Sequence, residues 1–385
     1  SGGRIPGTPP CGEDLDRLVP PEVPIETGST PAMISRLLIP AILAACVGST
    51  TLGQSTLDRA IIGATAPLGE AQKSALDAFI AKHVDAIKDG NDAAACDEAR
   101  WALVTLARDP AATPTFRKAL ALAIAADLAA TVKGSDLRRA INAMQVLRFT
   151  RTPEGLDLVV ERTIPSSETE PGKRIAAASL VADAFEDLDA NNAYYETVSR
   201  RLKDAAAGET DVLALQQKLG AIASAARRKE LPPENARTVR KNLIDAIASV
   251  AKAVRGSASA DPRMQALQRV LVGVRNDLLE MSQSERAAVS KTLAPALSDL
   301  VSAASRQWES AHGVPAMSAS YGSVMNSCEV LLRLIDRSER AAAYAGSKPE
   351  GDQRVLAPTW EAKDKAKFDA EAKRWSDIVG AAPYR

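Results

Sequence analysis

Histidine and cysteine are the scarcest chemistry-bearing residues in this chain: two histidines, His83 and His312, and four cysteines in 385 residues. Neither histidine has a second histidine or a cysteine at helical spacing, and a zinc site or catalytic triad needs such groups to converge. Lys82-His83-Val84-Asp85 reads as a helix surface, and His312-Gly313 as a helix end, where a histidine complements the dipole. Only Cys96 and Cys328 follow residue 53, and two cysteines in more than three hundred residues do not make a disulfide framework. Cys96, in the alanine-rich AAACDEARWAL, reads as a small core residue, and in an extended helical array Cys328 lies beyond disulfide reach of it. No Gly-rich phosphate loop follows a strand, and no GxSxG elbow occurs.

Aromatic residues make up only 4% of the chain, and no run alternates β-branched with polar residues over a strand's length. The second absence leaves helix as the consistent assignment. The first weighs against a sugar-cleaving site, although acid pairs such as Asp187 with Asp189 and Glu168 with Glu170 are present; acids at helix ends and loops read as caps or solvated charge. Net charge is also missing, with 48 basic and 48 acidic residues. Three of the basic and five of the acidic residues precede residue 54, so the remainder carries 45 against 43. A nucleic-acid binder relies on a basic excess to neutralise phosphates, so none is expected as partner. The clusters Arg227-Arg228-Lys229 and Arg237, Arg240, Lys241 read as solvated helix ends and faces.

One apolar run stands out. Met33 and Arg36 precede an uncharged stretch from Leu37 to Val47, about half the length a membrane-spanning helix requires and interrupted by Pro40. That order is the order of an export signal. Cleavage after Thr51-Leu52-Gly53 gives a chain starting at Gln54; Leu43-Ala44-Ala45-Cys46 resembles instead the lipobox of bacterial lipoproteins, which implies a lipid on Cys46. Both remain open, and both place the protein in the periplasm or cell envelope, or outside the cell. Residues 1–32, rich in Pro and Gly, cannot bury enough surface to offset their ordering entropy. They are expected to be a disordered extension upstream of a start at Met33.

From residue 54 onward amphipathic helices alternate with short turns. Gly90-Asn91, Asp109-Pro110, Thr113-Pro114, Gly134, Thr152-Pro153 and the 165–172 loop punctuate the first half; the turn Leu231-Pro232-Pro233 and the linker 256–262 punctuate the second. The first helices of successive pairs carry Arg100-Trp-Ala-Leu, Arg139-Ala-Ile-Asn and Arg174-Ile-Ala-Ala, 39 and 35 residues apart. Over residues 92–207 the chain thereby resembles HEAT-like helical repeats, whose period is about 40 residues. The resemblance implies an all-α fold of right-handed stacked helical hairpins over 54–207, an α-solenoid acting through protein contacts. It passes into longer antiparallel helices over 208–345, a bundle or a continued solenoid. A linker follows at 346–357.

A last helix is expected over 358–380. Trp360, Phe368 and Trp375 stand eight and seven apart, within roughly 80° on one helical face. The stripe either docks on the preceding helices or binds a partner or a membrane surface, flanked as it is by Lys363, Lys365, Lys367, Lys373 and Arg374. No catalytic, cofactor-binding or metal site is expected. The chain is read as a binding or scaffolding module with a protein partner, touching a membrane only through a lipidated Cys46 or the C-terminal helix. An all-helical enzyme using scattered carboxylates, and a lipid-tethered structural protein, are the competing classes.

Overall fold

Helix boundaries fall where caps and breakers put them. A computed structural model describes residues 57–339 and 353–384, which belong to one unit spanning Ser55–Arg385. Among the described residues all regular structure is helical, in sixteen helices. The first nine are α1 (Arg59–Ile62), α2 (Glu70–Asp89), α3 (Ala93–Arg108), α4 (Pro114–Lys133), α5 (Leu137–Phe149), α6 (Pro153–Glu161), α7 (Pro171–Ala184), α8 (Asn192–Ala207) and α9 (Val212–Ala226). The other seven are α10 (Pro233–Gly256), α11 (Arg263–Glu280), α12 (Gln283–Arg306), α13 (Trp308–His312), α14 (Pro315–Glu339), α15 (Leu356–Glu361) and α16 (Lys365–Val379). Thr113 and Thr152 cap α4 and α6 through their hydroxyls, each with proline at the first helical position, where the missing N–H has no partner to lose. Gly90 ends α2 in the left-handed conformation at φ 61°; a Cβ there would also meet the Arg139 side chain within 2.5 Å.

Packing follows two series. Helices α2, α4, α6, α8, α10, α12 and α16 each touch the next in that order, and α3, α5, α7, α9, α11 and α14 do the same. Each member of the second series also packs on its chain neighbour in the first, α2 with α3 and α4 with α5 onward. The core lies between them, lined by the apolar stripes of both, such as Leu76, Ile80, Val84 and Ile87 of α2. Trp101 points the other way, 60% exposed, because it sits two residues from both Ala99 and Leu103 and so on the opposite face of α3. Polar bonds tie neighbours within the first series: Arg201 to Asp157, Asn235 to Glu196, Asn242 to Ser199 and Arg255 to Asp299, with partners 39 to 44 residues apart in sequence.

Helix α1 is a single turn, capped by Asp58 and ended at Gly63. Helix α12 breaks at Gln307, whose amide nitrogen donates to the Val254 and Ser257 carbonyls while its oxygen accepts from the Tyr321 hydroxyl. Those three long-range bonds hold Gln307 at a position that continued helix would not supply. The last helix divides into α15 and α16: Lys363 turns left-handed at φ 55°, and Asp364 caps α16 by accepting from the Lys367 N–H.

Candidate binding groove

The groove with the most complete set of binding groups lies between α10 and α12. Positions 237, 241 and 244 of α10 and 284, 288 and 292 of α12 recur every three or four residues, so each helix presents one stripe to a shared cavity of about 360 Å3. Its apolar floor is Ile244, Met281, Ala288 and Val289, with Thr238, Ser284 and Thr292 supplying hydroxyls. Three cations line it. Arg237 pairs with Glu285 at 2.9 Å and Lys241 with Asp245 at 2.7 Å. The half-buried Arg240 donates from Nε to the Ala236 carbonyl at 3.3 Å, and no carboxylate among the described residues lies within salt-bridge distance of it. Hydrogen bonds from Ser282 hold the Glu285 carboxyl below its ordinary value, with Arg240 and Arg237 adding to the effect, so Glu285 is a fixed negative charge at the rim. An apolar floor beneath a guanidinium with no acid in ion-pair contact can hold an amphipathic anionic group.

A second cluster is charged and buried. Glu209, just after α8, accepts two bonds from Arg174 at 2.8 and 2.9 Å, one from the Lys218 ammonium, and two from the N–H groups of Thr210 and Asp211. Burial alone would raise the Glu209 carboxyl, but the Arg174, Lys218 and Asp211 donors outweigh it and bring it down to about 2. Burial lowers the Lys218 ammonium, which Glu209 only partly restores. Buried charges with shifted titration mark candidate active sites. These line none of the grooves described here, and they bolt α7 and α9 to the α8–α9 turn.

The residues singled out in the sequence fall elsewhere. Trp360, Phe368 and Trp375 are all buried, although they lie on two helices rather than one. Trp360 packs edge-on against Trp308 at 4.7 Å, and its indole N–H donates to the Ser318 carbonyl at 2.9 Å; Phe368 lies 5.2 Å from Trp308. The Trp375 ring is covered by Arg374, and among the described residues its N–H has no acceptor. The segment carrying the three rings is fixed to α14 by Glu329, whose buried carboxylate accepts from the N–H groups of Val355 and Leu356 and from Arg333. Cys46, the lipidation candidate, lies outside the described residues, as does the whole 33–53 stretch.

The His83 ring lies tilted against Phe79 at 4.7 Å, and burial lowers its pKa. Both ring nitrogens of His312 face carbonyl oxygens, those of Trp308 at 3.0 Å and Trp360 at 3.1 Å. Cys96 and Cys328 are buried and unbridged. The acid pairs are occupied: Asp187 by Arg148 and Arg151, Asp189 by Arg117, Glu168 by Arg162 and Lys173, and Glu170 as the cap of α7. Among the described residues no three His, Cys, Asp or Glu side chains cluster as a metal site, and no helix is long and apolar enough to cross a membrane.

Arg100, Arg139 and Arg174, the repeated arginines, reach neighbouring elements. Arg100 meets Asn142 and Gln145 of α5, Arg139 meets Asn91 in the α2–α3 turn, and Arg174 meets Glu209. Sequence reasoning missed the role of Arg240. The available signal was its place beside Val239 and one turn before Ile244, the edge of an apolar stripe rather than its solvated back. Compared with known proteins, the sequence matches no family model and no curated protein.

Proposed function

We propose that the protein is a HEAT-like α-solenoid of the cell envelope that acts by holding an acidic amphipathic segment of a partner protein in the α10–α12 groove. The observation that carries this reading is Arg240, a cation without a carboxylate partner above the Ile244–Met281–Val289 floor. A partner's apolar side chain fits the floor while a neighbouring acid meets the guanidinium, a charge-assisted bond of the stronger kind. The solenoid reading is supported by the two series of helices and by bonds between first-series neighbours 39 to 44 residues apart, a span close to the HEAT period. In such an array each hairpin contacts only its neighbours and leaves long faces for partners. The envelope location is supported by the Arg36-led apolar stretch alone.

The binding test places a photo-crosslinking amino acid at the exposed Ala288 and recovers adducts from envelope extracts of the native cell. Adducts formed by the otherwise unaltered chain and lost with Arg240→Glu support the groove; an unchanged set of adducts refutes it. The location test is N-terminal sequence and intact mass from the same cells. A start at Gln54 or a lipidated Cys46 agrees with export, and an unprocessed residue 33 overturns it.

A further inference from the structure

A second groove, of about 650 Å3, opens between α14 and α15. Ala319, Gly322, Ala357, Pro358 and the edge of Trp360 make one apolar wall. Gly322 lets the Trp360 ring approach closely, since a Cβ there would stand 3.1 Å from the ring. Two exposed cations overlook this wall. Arg354 donates from Nη1 to the Asn326 side chain at 2.9 Å, and among the described residues no carboxylate lies within ion-pair distance of Arg354 or Lys363. One carboxylate, Glu361, shares the rim, so the wall charges amount to two positive and one negative. His312 also borders the cavity, but both its nitrogens already face carbonyl oxygens.

Lys363 is placed by the end of α15. Among the described residues two non-glycine positions adopt a left-handed backbone, Arg151 at φ 58° and Lys363 at φ 55°. At Lys363 the turn is closed by the Asp364 N–H, which donates to the Thr359 carbonyl at 2.9 Å. The Arg151 side chain meets Asp187 at 2.9 Å. Lys363 is exposed, lines the groove and, among the described residues, has no carboxylate within ion-pair distance.

We propose that the α14–α15 groove binds a small organic monoanion, a carboxylate on a flat apolar body, with Arg354 and Lys363 meeting the carboxylate and the Gly322–Ala357–Trp360 wall meeting the body. The size of the cavity is that of a small-molecule site. The single excess positive charge suits one negative charge, and Glu361 repels a second. This site is separate from the α10–α12 groove and stands or falls without it.

The test is titration of the full chain with benzoate, followed by calorimetry and by tryptophan emission, since Trp360 borders the groove. Wild type is expected to bind saturably. Arg354→Gln and Lys363→Gly are each expected to bind about tenfold more weakly, the loss of one charge-assisted contact. Both residues are exposed, and the glycine relieves backbone strain, so both variants fold; their thermal unfolding checks this. Benzyl alcohol, the neutral analogue, and inorganic phosphate, mostly a dianion at pH 7.5, are expected not to compete. Absence of binding at about 10 mM benzoate, roughly the weak limit for a fragment of that size, overturns the proposal. So does equal affinity in wild type and both variants, or competition by phosphate as effective as that by benzoate.

Discussion

Replacing Glu209 by glutamine keeps the size of the side chain and removes one charge from the most completely buried ionic cluster among the described residues. Arg174, Glu209 and Lys218 are 6%, 1% and 0% exposed. The substitution leaves a guanidinium and an ammonium buried without a counter-charge, a defect that costs about 3–5 kcal/mol. The pKa gives an independent magnitude. A carboxyl brought from 4.5 down to about 2 on folding binds its proton less tightly in the folded state. Its stabilisation is therefore fully present above pH 4.5 and is lost as pH falls towards 2; the size is about 3 kcal/mol. For a chain of this length that corresponds to a lowering of the unfolding midpoint by roughly 5 °C at pH 7.

The matching variant, Lys218→Met, behaves differently. Glu209 keeps both Arg174 bonds and both backbone N–H bonds, and the buried ammonium, whose charged form burial disfavours, is gone. Because Glu209 stays paired with Arg174, no uncompensated charge is left buried, and the change is expected to be about neutral or stabilising. The assay is unfolding followed by circular dichroism across pH 7 to 2 for wild type and both variants. Glu209→Gln should lie well below wild type at pH 7, with the gap closing between pH 4.5 and 2, while Lys218→Met stays level or above. A Glu209→Gln protein as stable as wild type at pH 7, or a gap that does not close on acidification, refutes the reasoning.

Other consequences follow from single contacts. Lys363→Gly should raise stability by about 1 kcal/mol by relieving the left-handed backbone, measured as an upward shift of the denaturation midpoint. Glu329→Gln should loosen the segment after residue 353, since its carboxylate holds the Val355 and Leu356 N–H groups; limited proteolysis should then cut there first, and an unchanged digestion pattern would count against that role. The two C-terminal tryptophans should differ. Trp360→Phe loses the bond to the Ser318 carbonyl, costing about 1 kcal/mol more than Trp375→Phe, whose indole N–H has no acceptor to lose among the described residues; equal losses in urea unfolding would refute the distinction.

Legibility in the sequence tracks the range of the interaction. Thr113-Pro114, Thr152-Pro153 and Gly90 act on bonds within a few residues of themselves, and each marks a helix end in the structure as it does in the sequence. Gln307 looks like any polar residue in a long helix. What makes it a break is a carbonyl 53 residues earlier and a tyrosine hydroxyl 14 residues later. Lys363 was hidden for another reason: its neighbours spell good helix, and the left-handed turn is fixed by Asp364, whose N–H reaches back to the Thr359 carbonyl as its side chain starts α16.

The same distinction separates the readable from the unreadable charges. Arg174, Glu209 and Lys218 stand 35 and 9 residues apart and carry the composition of any solvated helix face. Only stacking of α7 on α9 removes water from them. Arg237, Arg240 and Lys241 present one basic cluster in the sequence, yet the structure puts an acid in ion-pair contact with the outer two and, among the described residues, with the middle one none. Glu285 is fixed by a capping box with Ser282 that can be read locally, but that it faces Arg237 depends on α12 lying beside α10. A cation left out of ion-pair contact is thus a property of helix packing. It becomes visible only when each charge has been matched to the acids that neighbouring helices bring within reach.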